Sequence, residues 1–191
     1  AARISWPTSS RASAPWAKEG EVDGINRNYR VYSVLQFVLA VAIFGTVCFI
    51  FSNSMQTGVD SSSASQAVQD FLQGLLRRLG HPAAAARLTE HMVRKAAHFC
   101  EYMLEGFLLL LGVRLFSRKL RYLSWPALLG LLTALCDETI QLFYAGRGSS
   151  VTDVWIDFAG VVTGMAVALL LSAVLGALFR PRRREESRGR H

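Results

Sequence analysis

The sequence predicts an all-α, polytopic membrane protein with four transmembrane helices and an amphipathic helix in the first extracellular loop. Three observations carry that expectation. Over 191 residues the chain is 51% hydrophobic and only 18% charged, whereas a soluble domain usually carries about a quarter charged residues. Long uncharged apolar runs stand at 33–51 and 160–179. Basic residues outnumber acidic ones by 21 to 14, and they gather beside the apolar runs rather than inside them. A dinucleotide-binding α/β enzyme is excluded by the lack of GxGxxG or GxxxxGK[ST] after a strand-like run. A cysteine-stapled scaffold is excluded too, since Cys48, Cys100 and Cys136 all lie within apolar stretches.

The first run, SVLQFVLAVAIFGTVCFIF at 33–51, has the length needed to cross a hydrocarbon core of about 30 Å. Thirty-two mostly polar residues precede it, so it reads as a membrane helix rather than a cleavable signal. In the following loop Val68, Phe71, Leu72, Leu75, Leu76 and Leu79 repeat at i, i+3, i+4, i+7, i+8 and i+11. This predicts one amphipathic helix, with Ser63 and Gln66 spaced as a capping box. Its apolar face has two readings, cover for the rest of the protein or an anchor lying on the bilayer. A short alanine-rich helix at 83–88 leads into a second span at 94–115. A third follows at 122–143, and the fourth is 160–179. Gln36, the cysteines and the tryptophans read as core or interface residues, with Trp125 fitting a cytoplasmic aromatic belt.

Orientation follows from the positive-inside rule. Arg114, Arg118, Lys119 and Arg121 join the second and third spans, and six arginines follow the fourth, whereas Arg147 alone lies between the third and fourth. Both termini are therefore expected in the cytoplasm of a multi-pass cell-membrane protein. The expected organisation is a cytoplasmic tail (1–32), the first span (33–52), an extracellular loop (53–93), a core of three spans (94–179) and a basic cytoplasmic tail (180–191). On this topology the cytoplasmic parts hold 15 basic and 5 acidic residues, and everything else holds 6 basic and 9 acidic.

Charges inside spans are expensive, about 2.5 to 3.5 kcal/mol each on insertion scales, so they call for partners or a task. In the second span Arg94, His98, Glu101 and Glu105 are spaced 4, 3, 4 and share a helical face, with Lys95 and Tyr102 beside them. In the third, Asp137 and Glu138 sit one turn before Gln141. In the fourth, Asp153, Asp157, Gly160 and Gly164 form a stripe, polar at one end and small below it, which lets a neighbouring helix approach closely. The topology brings these ends to one side of the membrane, in a cleft of the outer leaflet. Six carboxylates (Glu101, Glu105, Asp137, Glu138, Asp153, Asp157) would face Arg94, Lys95 and Arg147, leaving three acids to take up protons, bind a cation or open to water. His98 and Glu101 facing Asp137 and Glu138 suit a divalent metal or a general acid and base. Singly, each of these residues is as readily a structural contact, Lys95 and Glu105 above all.

The segments 94–102 (RKAAHFCEY), 137–143 (DETIQLF) and 146–154 (GRGSSVTDV) together resemble the VanZ-like family of membrane proteins. The ordered pattern RKxxHFxEY, DExxQ, GR, D, G covers roughly 94–171. The resemblance implies a small multi-span protein, mainly of Gram-positive bacteria, whose founding member is linked to lowered susceptibility to the lipoglycopeptide antibiotic teicoplanin. It implies no defined reaction. By motif match the family's polar positions fall on Arg94, Lys95, His98, Glu101, Tyr102, Asp137, Glu138, Gln141, Arg147, Asp153 and Gly160. The family more often has Asn where this chain has Asp157, which makes this cleft more acidic.

Three functions are compatible with these features. The first is binding: the cleft receives the polar head of a membrane lipid, a lipid-linked cell-wall precursor or a lipoglycopeptide, at Arg94, Lys95, His98, Glu101, Tyr102, Asp137, Glu138, Gln141, Arg147, Asp153 and Asp157. The second is an enzyme acting on a lipid or cell-wall intermediate, with His98, Glu101, Asp137 and Glu138 as catalytic or metal-binding candidates. The third is a structural or accessory membrane protein. No nucleic-acid partner is expected, because topology and anionic lipid account for the basic C-terminus.

Overall fold

The computed structural model describes residues 19–117 and 119–178; the expectations placed on 1–18, on Arg118 and on the arginine-rich stretch after 178 lie outside the described residues. Six α-helices and one 3₁₀ turn follow in order: α1 Glu19–Ser54, α2 Gly58–Arg78, α3 Pro82–Arg87, α4 Glu90–Phe116, the 3₁₀ turn Leu120–Leu123, α5 Ser124–Gln141 and α6 Val151–Leu178. Among the described residues there is no strand, as the all-α expectation requires. The chain divides into a unit of residues 1–38, described as the first half of α1, and a unit of residues 39–191 that holds everything else. Among the described residues two helices are long and apolar enough to cross a membrane, Tyr29–Ser54 within α1 and Val151–Leu178. Helices α4 and α5 interrupt their apolar runs with the ionisable residues noted above.

Burial runs opposite to that of a water-soluble protein. Phe44, Phe49, Leu132 and Leu170 are exposed, while Asp137, Glu105 and Asp157 are only 0%, 1% and 2% exposed. In water this would leave apolar surface wet and strip solvent from charges. Against hydrocarbon it is the expected arrangement, with ionisable groups turned inward. The same inversion narrows one expectation: Cys48, Cys100 and Cys136 are exposed, and so are Trp125 and Trp155. Of the reading as core or interface residues, exposure leaves the interface half.

Helix α2 starts earlier than the Ser63–Gln66 capping box predicts. Thr57 is the N-cap, its hydroxyl accepting from the Asp60 amide and donating to the Asp60 carboxylate. That pairing satisfies the first-turn amides and adds a negative charge at the positive helix end. Ser63 lies inside the helix and donates to the Asp60 carbonyl. The apolar face of α2 is split into two rows. Leu72 and Leu76 are partly buried, and Gln69 and Gln73 in the same direction donate to the Leu88 carbonyl at 2.8 and 3.0 Å. Val68, Phe71, Leu75 and Leu79 remain exposed. The first reading, cover for the rest of the protein, therefore holds for the row of Leu72 and Leu76.

The contact that positions the site is the crossing of α4 and α6. A Cβ at Gly164 would lie 1.9 Å from the Met103 carbonyl oxygen, one at Gly160 2.5 Å from that of Phe99, and one at Gly106 2.2 Å from that of Val161. Real Cβ atoms do not approach so closely, so the crossing exists only because these positions are glycine. Close backbone approach through small residues is how helices associate where water supplies no driving force. On α5, Gly130 takes the Val161 side chain in the same way.

Candidate functional site

The site is assembled from four helix ends that meet on one side: the last turn of α1, the first half of α4, the last turns of α5 and the first turns of α6. This is the convergence that the stripe spacing predicts. The 4, 3, 4 spacing on α4 does keep Arg94, His98, Glu101 and Glu105 on the inward side, all of them buried or partly buried. Tyr102 joins them and is completely buried, because Gly160 leaves room where a Cβ would sit 3.1 Å from the tyrosine Cβ.

The structure divides the predicted residues into two groups. In the first, each charge already has a neighbour. Lys95 Nζ lies 2.6 Å from Asp153 Oδ1, an ion pair that clamps α4 to α6. Arg94 Nη2 lies 2.7 Å from Glu90 Oε1, one turn away. Glu138 Oε2 accepts from the Ser150 amide at 2.9 Å, and Gln141 Nε2 donates to Glu138 Oε1 at 3.3 Å and Asp137 Oδ2 at 3.2 Å. Glu101 Oε1 accepts from Asn53 Nδ2 at 2.8 Å. Arg147 donates through Nε to the Gln56 carbonyl at 3.1 Å and through Nη2 to the Asn53 carbonyl. It thereby satisfies carbonyls at the C-terminal end of α1, where positive charge also suits the helix dipole. Burial, then the nearby Arg94, hold the Arg147 guanidinium below its ordinary value.

In the second group are atoms that are buried and unpartnered: His98 Nδ1, Tyr102 OH, Glu105 Oε2, Asp137 Oδ1 and Asp157 Oδ2. Glu101 Oε2 is a sixth, 4.0 Å from His98 Nδ1 and so beyond hydrogen-bond reach. A ligand atom from each of His98, Asp137 and Asp157 lies within 4.8 Å of the other two. Of the four residues expected to suit a metal, His98 and Asp137 fall in this group with Asp157, while Glu101 and Glu138 hydrogen-bond to Asn53 and to the Ser150 amide.

Two cavities open at the site. A small polar one of about 80 Å³ is lined by Lys95, Glu138, Asp153 and Asp157 among others, and a larger one of about 510 Å³ runs beneath α2, past Val68, Leu72, Met92 and Ala97. Arg94, His98 and Arg147 line both. The contributors that the sequence reading missed are Asn53 and Ser54, at the end of α1, the latter 3.5 Å from Gln141 Nε2. Their only signal is that two polar residues directly follow the first apolar run.

Comparison with known proteins adds one result, for no curated protein and no solved structure matches the chain. The residues that join these helix ends, RKxxHFxEY on α4, DExxQ at the end of α5 and Gly146-Arg147 before Asp153, fall within a match to the VanZ/LLP1 family. That match spans residues 37–172, well over half of the sequence, and on it the chain belongs to the VanZ/LLP1 family.

Proposed function

We propose that α1, α4, α5 and α6 all cross the bilayer, with both termini cytoplasmic, and that the cleft in the outer leaflet binds the anionic head of a lipid-linked cell-envelope molecule. The acyl chain of that molecule occupies the groove beneath α2. The carrying observation is the junction of the two cavities, where Arg94, His98 and Arg147 stand between a polar pocket and an apolar groove. Arg94 stands close enough to Arg147 to disfavour its charge; an anion between the two relieves this, and phosphate suits arginine geometry. The volumes fit the division of labour. The pocket of about 80 Å³ has room for roughly five to eight water-sized groups, the scale of a headgroup fragment. The groove of about 510 Å³ lies in the range of ordinary ligand sites, roughly 300–1,000 Å³. A lipoglycopeptide presents the same pairing of polar head and acyl anchor, which connects this reading to the family's association with teicoplanin resistance.

The test is native mass spectrometry of the full chain in nanodiscs, with thermal unfolding in the presence of a polyprenyl phosphate or teicoplanin. Retained lipid and a higher unfolding temperature, both reduced in Arg94→Gln, are expected. A protein that retains no lipid and unfolds at the same temperature with either ligand overturns the proposal.

A further inference from the structure

We propose that His98, Asp137 and Asp157 form a site for one divalent transition-metal ion of the zinc and manganese class. The three residues come from three different helices, so only the folded bundle brings them together. Their ligand atoms lie within 4.8 Å of one another, which puts a common centre no more than about 2.8 Å from each. Zinc bonds to imidazole nitrogen and carboxylate oxygen are about 2.0–2.2 Å. Each ligand therefore needs to move inward by less than about 1 Å, within the reach of side-chain torsions alone.

The surroundings point to a cation independently of that spacing. Asp157 is 2% exposed and Asp137 0% exposed, and each keeps a buried oxygen with no hydrogen-bond partner. Beside them the Tyr102 hydroxyl is fully buried and lies next to Asp137. The cations of the site are committed elsewhere: Lys95 to Asp153, Arg94 to Glu90, and Arg147 to backbone carbonyls. Arg147 acts on Asp137 while held by backbone carbonyls; two buried carboxylates side by side are nonetheless costly to keep, and a divalent ion compensates both. One imidazole nitrogen with two carboxylate oxygens favours zinc or manganese over calcium, which takes six to eight oxygens.

Three protein ligands leave a coordination position open, as in catalytic rather than structural zinc sites. His98 and Asp157 both line the small polar cavity, so the open position faces it and takes a water or an anionic oxygen. The metal site stands on this geometry alone and does not depend on the lipid reading.

The test uses the full chain in nanodiscs, stripped with a chelator and titrated with zinc against a fluorescent competitor. One equivalent should bind. Each of His98→Ala, Asp137→Asn and Asp157→Asn should lower the affinity by at least about 100-fold, since even outer-shell changes cost 10- to 100-fold. Asp70→Asn, at an exposed carboxylate on α2, should stay within a few-fold of the native chain. Absence of binding by the native chain, or native affinity in Asp157→Asn, overturns the proposal. Should these variants fail to fold, X-ray absorption of the zinc-loaded native chain decides the matter. Oxygen and nitrogen neighbours with a single imidazole support the site, while sulfur at about 2.3 Å or several imidazoles reject it.

Discussion

Replacing Gly164 with alanine adds one methyl group at the closest point of the α4–α6 crossing. That methyl would lie 1.9 Å from the Met103 carbonyl oxygen and 2.8 Å from the Phe107 amide nitrogen. Both obstacles are backbone, so no side chain can swing away, and the helices must part locally by roughly 1 Å or more. Overpacking of this kind costs about 1–3 kcal/mol. Alanine recovers about 1 kcal/mol through its better helix propensity, leaving a net loss of up to about 2 kcal/mol. Gly176, on the same helix, has nothing within 4 Å of its would-be Cβ. There the propensity gain is unopposed, so Gly176→Ala should be neutral or stabilising by up to about 1 kcal/mol. Reversible unfolding in mixed micelles, followed by far-UV circular dichroism, measures both variants. Equal stabilisation of the two by alanine would refute the close crossing on which the placement of the site rests.

Two further outcomes follow from the contacts. Arg147→Ala removes the charged hydrogen bonds to the Asn53 and Gln56 carbonyls, worth roughly 1.5–3 kcal/mol; hydrogen exchange should then quicken at 53–58 and 145–150, and unchanged protection there would count against the tie. The Lys95–Asp153 pair, at 2.6 Å and partly exposed, should give a coupling of about 0.5–1 kcal/mol in a double-mutant cycle with Lys95→Met and Asp153→Asn, and a coupling indistinguishable from zero would show that it does not join the helices.

What was legible in the sequence is what periodicity carries. The faces of α4 and α6, the glycines of the fourth span and the meeting of polar ends follow from residue spacing within single helices. What was hidden depends on choices between partners. The excess of three acids counted Arg94 as a counter-charge for the cleft, but Glu90, one turn earlier, takes it; Arg147 is diverted to the end of α1. Nothing in its spacing sets Asp157 apart from Asp153 on the same stripe, and only the approach of α5 sets it beside Asp137. Gly106 was invisible for a different reason. It opens an apolar run in which glycine carries no polar signal, and its role lies in the Val161 carbonyl of another helix. The capping error at Ser63 arose between two competing hydroxyls, of which Thr57 wins because Asp60 answers it.

The glycine crossing also has a mechanical meaning. Helices α4 and α6 touch through backbone at three levels, so they move as one post, and His98 and Asp157 ride on it with a fixed separation. Helix α5 meets that post through Gly130 and the Val161 side chain, through Ala134 in the buried cluster with Tyr102, Val154 and Val161, and through the bond from the Ser150 amide to Glu138. Asp137 is carried on this second wall, one residue before Glu138. The distance from Asp137 to the other two is therefore set by side-chain packing and one hydrogen bond, whereas that between His98 and Asp157 is set by backbone against backbone.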